Sequence, residues 1–200
     1  MHAAYVFQGI ESVHASELRI TKQHFLPEAT VLVAYEGQEL VGTMTVVLDS
    51  PAGLPLDKDY AHELNALRQT GVRLAEYSSY AIVERCWSAG VSDLLYIAAN
   101  ALTTQQLHAS HVVIGVHPRA TSFYRAVFNF RDLASAKQHA TLQAPVAGLV
   151  QDLSQLRAFL RRSYGKPMAS GRLPVEHFFG APLDCIDVPL GHEAAVAALD

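Results

Sequence analysis

The chain has 200 residues, 50% hydrophobic and 17% charged, proportions of a folded domain rather than a disordered chain. Fifteen Lys and Arg against nineteen Asp and Glu leave a formal charge of -4, which argues against broad electrostatic affinity for nucleic acid or anionic lipid. Cys86 and Cys185, with an opening Met-His-Ala-Ala-Tyr that lacks a basic-then-apolar leader, fit a reduced compartment, so a cytoplasmic protein is expected. No apolar run approaches the ~20 residues needed to span a bilayer.

In chain order, residues 1–27 place Ile10, Val13, Leu18 and Phe25 on the inner stripe of one or two short helices. Residues 31–35 and 40–48 are apolar and β-branched and flank the polar turn Glu36-Gly37-Gln38-Glu39, which reads as a hairpin. Two prolines and a glycine make 49–57 a loop, and a short helix over about 60–69 ends at Gly71. Residues 72–83 suit a central strand, with Glu76 as its charged exception. Ser92 is placed to cap a helix over about 93–109, with Asp93 near the positive end of its dipole. A strand at 111–116 stopped by Pro118, a helix at 121–128 closed by Asn129-Phe130, a strand around 146–150 and an amphipathic helix at 152–163 follow. Beyond Gly165, Pro167, Pro174 and Pro182 suggest a wrapping C-terminal extension. One domain over 1–200 suffices, of α+β class, with a mixed, mostly antiparallel central sheet and helices on both faces.

Three blocks carry a resemblance. The first runs from Val41-Gly42-Thr43-Met44-Thr45 through the loop to Glu63-Leu64 and Leu67-Arg68. The second is Leu74-Ala75-Glu76-Tyr77-Ser78-Ser79-Tyr80-Ala81-Ile82, and the third His117-Pro118-Arg119-Ala120-Thr121-Ser122-Phe123-Tyr124 with Asn129-Phe130. In this order the chain resembles the GNAT-like acyltransferases, and within them the FeeM-type N-acyl amino acid synthases, relatives of the acyl-homoserine lactone synthases. The lactone synthases carry an arginine three residues after the glutamate, where this chain has Ser79, so the S-adenosylmethionine reading falls behind.

What the resemblance implies is transfer of a long-chain fatty acyl group from an acyl carrier protein thioester to the amine of an amino acid. That reaction needs a polarised thioester, a neutral amine and a proton for the departing thiolate. Glu76 matches the family's strand glutamate and would take the amine proton; Tyr124 matches the tyrosine that would protonate the thiolate. Read without the resemblance, Glu76 is also open to an exposed strand position or to pairing with Arg73 or Arg68, and Tyr124 to packing under the sheet. Backbone amides of Ser78, Ser79 and Tyr80 would bind the thioester oxygen if the strand bulges there. The donor loop is expected at Arg85-Cys86-Trp87-Ser88-Ala89-Gly90, where Ser88 replaces the first glycine of the coenzyme A pyrophosphate loop. That substitution favours a phosphopantetheine arm delivered on a carrier protein, with no separate cofactor. Arg119, in the third block, is a further donor-binding candidate, and the basic residues Arg157, Arg161, Arg162, Lys166 and Arg172 could steer an acidic carrier or be a solvated helix face. Arg68 and Arg73 are the candidates for the acceptor carboxylate, against surface charge. Leu54, Leu56, Trp87, Phe123, Phe128 and Phe130 are the apolar residues available for an acyl channel.

No metal is expected: His62-Glu63 is followed by Ala66 where a zinc-protease motif has histidine, and His108, His111 and His117 straddle a helix-to-strand turn. Two other readings stand beside the first. One is a coenzyme A-dependent acetyltransferase of the general kind, the other a silent module that binds a carrier protein or lipid.

Overall fold

The computed structural model describes residues 22–86, 90–140 and 144–164. Most of the N-terminal helical region and the whole extension from residue 165 lie outside the described residues; of the former, the turn Lys22–Phe25 is described. Seven strands form the sheet: β1 (Ala29–Glu36), β2 (Glu39–Leu48), β3 (Leu74–Ile82), β4 (His111–Val116), β5 (Arg131–Asp132), β6 (Lys137–Gln138) and β7 (Pro145–Asp152). Their order is β1-β2-β3-β4-β7-β5, with β6 also on β7, and only β3 and β4 run parallel. The expected α+β architecture is present. The two-residue strands β5 and β6 were not anticipated, because pairs of residues in a polar stretch carry no periodicity.

The helices α1 (Asp57–Gln69), α2 (Val91–Ala101), α3 (Thr121–Phe128) and α4 (Leu153–Tyr164) cover both faces. This double cover explains why β2 reads as an unbroken apolar run: its residues from Val41 to Val47 are buried on either side. One face packs Met44, Val46, Ala75 and Tyr77 against Val91, Leu95, Ala99 and Leu102 of α2. Gly42 permits that approach, since a Cβ there would stand 3.0 Å from Val91 and 3.1 Å from Leu95. The other face packs Val47, Leu74, Val113 and Val150 against Tyr60 and Leu64 of α1 and against Leu54 and Leu56 before it.

Helix boundaries differ from expectation in three places. α1 begins at Asp57 rather than near Tyr60, which takes a non-helical φ of -128° inside it. α2 begins at Val91, and its N-cap is Gly90 in the left-handed region at φ 77°, not Ser92. Ser92 instead accepts the hydroxyl proton of Tyr80 at 2.8 Å. The far end of α2 continues as a single π-helical stretch, Leu102–Gln106, short of the expected Ala109. Asn129 ends α3 at φ 57°, a conformation that asparagine tolerates better than other residues bearing a Cβ.

Between α1 and the sheet, the fully buried ring of Tyr60 lies on Gly148 of β7, and its hydroxyl is 2.9 Å from the carbonyl of Val146 and 3.0 Å from that of Ser135. Lys137 stands 4.4 Å over the same ring and ion-pairs with Glu63. A Cβ on Gly148 would meet three ring atoms at 3.0–3.1 Å. Gly148→Ala is therefore expected to destabilise the protein by about 1–3 kcal/mol through overpacking, read as a lowered urea midpoint with unchanged slope.

Candidate active site

β3 and β4 pair only at Leu74↔His111, Ala75↔Val112 and Glu76↔Val113. Beyond Glu76 the two strands run on without pairing, β3 to Ile82 and β4 to Val116, so the sheet opens like a wedge with Glu76 at its apex. On the β2 side, Thr43 faces Ala81 but Thr45 faces Ser78. Two steps along β2 thus match three along β3, which is a β-bulge at Ser78–Ala81, the condition on which the Ser78, Ser79 and Tyr80 amides are candidates. Ser79 in this bulge has φ 50°, a left-handed conformation unusual for a residue with a Cβ.

Glu76 points to the α1 face, in register with Val47 and Val113, and is only 3% exposed. Its Oε2 accepts the backbone N–H of Leu56 at 2.8 Å. Burial dominates its titration, pushing the carboxyl up to about 8; the Leu56 hydrogen bond opposes this, while the nearby charges of Asp57 and Asp59 add to it and Lys58 subtracts. The charge exception in an apolar strand is thus neither an exposed carboxylate nor an ion-pair partner of Arg68 or Arg73.

Tyr124 of α3 sits in an aromatic cluster on the opposite face. Its ring lies 6.3 Å from Tyr96, 6.3 Å from Phe128 and 5.9 Å from Phe130. Tyr96 donates its hydroxyl proton to the Tyr124 oxygen at 3.0 Å. Burial raises the Tyr124 pKa and the Tyr96 hydrogen bond opposes that rise, with a net upward shift. The Tyr124 phenol therefore stays protonated near neutrality, and because its oxygen accepts from Tyr96, its own proton is left to donate elsewhere. Burial likewise holds Tyr80, which extends the cluster at 5.7 Å from Tyr96, up at about 12.

The remaining sequence candidates separate. Gly90 opens α2, and its carbonyl takes the N–H of Leu94 at 3.1 Å. Ser88, with Trp87, lies outside the described residues. Arg85 spends its guanidinium on Glu36 and Glu39 of the β1–β2 hairpin, at 2.5 and 2.6 Å. Arg119 is exposed in the turn before α3, with its backbone N–H on His117 Nδ1. Of the basic C-terminal cluster, Arg162 is exposed, and the side chains of the other four lie outside the described residues.

The acceptor candidates are corrected by geometry. Arg68 donates one bond from Nε and two from each terminal nitrogen, to Asp49, Asp57 and Asn65, at 2.7–2.8 Å. That uses all the N–H donors a guanidinium has, so none is left for a substrate carboxylate. Arg73 is exposed just before β3, at the paired end of the strand and away from the opening. Among the apolar candidates, Leu54 and Leu56 are buried on the α1 face and Phe128 and Phe130 in the aromatic cluster, while Phe123 is 49% exposed. The Leu56 side chain reaches the opened strand: a Cβ on Gly115 of β4 would stand 2.9 Å from it.

Three contributors were missed. The Leu56 amide is a backbone group and leaves no residue-type signal. Tyr96 falls in a small-residue helix where an aromatic reads as core. Lys58, the cation acting on Glu76, looks like any surface lysine.

Because the folded pKa of Glu76 lies above its unfolded value of 4.5, the folded state binds more protons between the two. Its contribution to stability is therefore full below 4.5, falls as pH rises toward about 8 and stays low above that. Glu76→Gln, which keeps an acceptor for Leu56 but carries no charge, is expected to raise Tm by more at about pH 8 than at about pH 5, as measured by differential scanning fluorimetry.

The family model of the N-acyl amino acid synthase FeeM matches residues 1–152. Among solved structures, FeeM, an N-acyl amino acid synthase from uncultured soil microbes, superposes with a TM-score of 0.68 at 25% identity, over 78% of this chain and 88% of that one. The CoA-dependent acyl-homoserine lactone synthase BjaI, solved with SAM and isopentyl-CoA, gives 0.60 at 15% identity over 100% and 88%. A putative N-acetyltransferase from Lactobacillus plantarum gives 0.51 at 18% identity over 76% and 85%. The last two speak for the fold alone. The comparison with curated proteins gives no match. With the GNAT sheet, its opening between β3 and β4 and a family match across most of its length, this chain belongs to the FeeM family of N-acyl amino acid synthases and is an acyltransferase.

Proposed function

We propose that the protein moves a long-chain fatty acyl group from an acyl carrier protein thioester to the amine of an amino acid. The observation that carries this reading is the buried Glu76 at the apex of the β3–β4 opening, held by the Leu56 amide and raised to about 8. A base in that range is matched to an ammonium group, which it can neutralise without holding the proton too tightly. In this reading the thioester arm lies in the opening and a backbone amide of Ser78, Ser79 or Tyr80, at the bulge, serves the acyl oxygen. Glu76 takes one proton from the ammonium group and the neutral amine attacks the thioester carbon; as the tetrahedral oxyanion collapses the C–S bond breaks, Tyr124 gives its proton to the thiolate, and the second proton shed by the nitrogen as the amide forms passes through solvent to restore the phenol. Tyr96, donating to the same oxygen, stabilises the phenolate formed at that moment. Lys58, near Glu76 on the first turn of α1, is a cation available to an acceptor carboxylate.

Two features favour a carrier-borne arm over free coenzyme A. Ser88 replaces a glycine of the pyrophosphate loop, and Arg85, which would face a pyrophosphate, is engaged by Glu36 and Glu39. Arg119, exposed beside the third sequence block, is left to meet an acidic carrier.

The test is thiol release by the purified protein with a long-chain acyl carrier protein thioester and a pool of amino acids, with mass spectrometry of the organic extract. An acylated amino acid absent from the boiled control is expected. Release from acetyl-coenzyme A alone would replace the reading with a general acetyltransferase, and no release from either donor would leave a binding module. Glu76→Gln is expected to lower kcat by ~10²–10⁴-fold. Tyr124→Phe is expected to cost about tenfold or less, because a thiol of pKa ~8.5 departs tolerably as the anion.

A further inference from the structure

The loop that supplies the Leu56 amide is held from a distance by one side chain. Asp49 follows β2, and its N–H bonds the carbonyl of Leu74 at 3.0 Å; Asp57 opens α1. Between them run residues 50–56. Arg68, near the far end of α1, reaches back and grips both carboxylates, each through two bonds: Asp49 by Nε and one terminal nitrogen, Asp57 by both terminal nitrogens. Asp57 Oδ2 also accepts the N–H of Leu54 at 2.7 Å, and a Cβ on Gly53, at φ +76°, would stand 2.8 Å from that oxygen. Burial pushes the Asp57 pKa up, yet the Arg68 and Leu54 hydrogen bonds outweigh it and hold the carboxyl below its ordinary range. The loop is thus folded tightly onto an ion pair. Its last residue before the helix places an N–H on Glu76 and a side chain against Gly115 across the opening.

Arg68 has no donor free for substrate, and with its bidentate, mostly buried grip on Asp49 and Asp57 it acts within the protein on the loop between them. Its arrangement has another consequence. The charged groups acting on Glu76 are Asp57, Asp59 and Lys58, all from the first turn of α1, while its strand neighbours Val47 and Val113 carry none. Arg68 both fixes the amide that stabilises the Glu76 anion and neutralises Asp57, the nearby charge that most disfavours it.

We infer that Arg68 is a positioning residue for the base: by clamping Asp49 to Asp57 it sets the location of the Leu56 amide and thereby the proton affinity and reach of Glu76. The inference rests on the reading of Glu76 as the base. Its removal frees the amide and leaves Asp57 uncompensated, and both changes disfavour the Glu76 carboxylate. The ascending limb of kcat/KM against pH then moves to higher pH.

The experiment measures pH profiles of the wild type, Arg68→Gln, Arg68→Lys and Glu76→Gln with the same acyl carrier protein thioester and the same amino acid acceptor, so that the acceptor's own amine titrates identically in each. Arg68→Gln is expected to shift the ascending midpoint up by about half a unit or more and to lower kcat about tenfold, with a smaller change in acceptor KM. Lysine retains the charge but not the fork that spans two carboxylates, so Arg68→Lys is expected to restore little of either. An unmoved or lowered midpoint with only a depressed Tm, or full rescue by lysine, overturns the inference. Should Arg68→Gln fail to fold, Asp49→Asn, which releases one end of the clamp, is expected to show a smaller shift in the same direction, and its absence overturns the inference equally. If Glu76→Gln retains full activity, the base reading itself fails; if Glu76→Gln is inactive while the arginine variants keep the wild-type profile, only the positioning role fails.

Discussion

The constraint on which this structure turns is the loss of pairing between β3 and β4 after Glu76. Parallel strands that part expose unpaired backbone, a cost that folded proteins accept where a ligand will occupy the space. Here the parting is prepared from both sides. The bulge around Ser79 bends β3, which resumes its ladder with β2 at Ala81 and Ile82, and β4 stays with β7 along its whole length, from His111↔Asp152 to Val116↔Ala147. β4 therefore follows one half of the sheet and β3 the other.

At the apex, a carboxyl that water would leave ionised is placed where burial is nearly complete. Desolvation alone would make it an inert neutral acid. The Leu56 amide returns part of the lost solvation, and the balance sets a proton affinity that suits exchange with an amine. That balance depends on a loop of prolines and glycine being held still, which an Arg68 side chain accomplishes from near the end of α1. The two halves of the chemistry are divided by the sheet itself. Glu76 faces α1, while Tyr124 belongs to the tyrosine cluster under α2 and α3, and the opening joins the two faces.

Much of this was legible in the residues. The hairpin, the central strand with its single acid, the proline-stopped β4 and α3 follow from alternation, turn chemistry and helical spacing. Glu76 announced itself as a charge in an apolar strand. Ser92 misled because a serine before an apolar run is a common cap, whereas the preceding Gly90 took the left-handed position that the turn required. Arg68 and Arg73 misled for a related reason: a basic residue near an acid motif is consistent with substrate binding or with internal pairing, and spacing does not separate the two.

What the sequence by itself determined is the set of elements and the residue types that acyl transfer calls for, since both arise from local patterns and from a motif carried in order. What only the tertiary structure decided is which of those groups hold one another. Asp49, Asp57 and Arg68 converge because β2 and α1 are folded back across a short loop, and Leu56 meets Glu76 from a position twenty residues earlier. Tyr96 meets Tyr124 across twenty-eight residues. Burial, and with it the proton affinity of Glu76, is a property of everything packed around the carboxyl, and no stretch of the chain contains it.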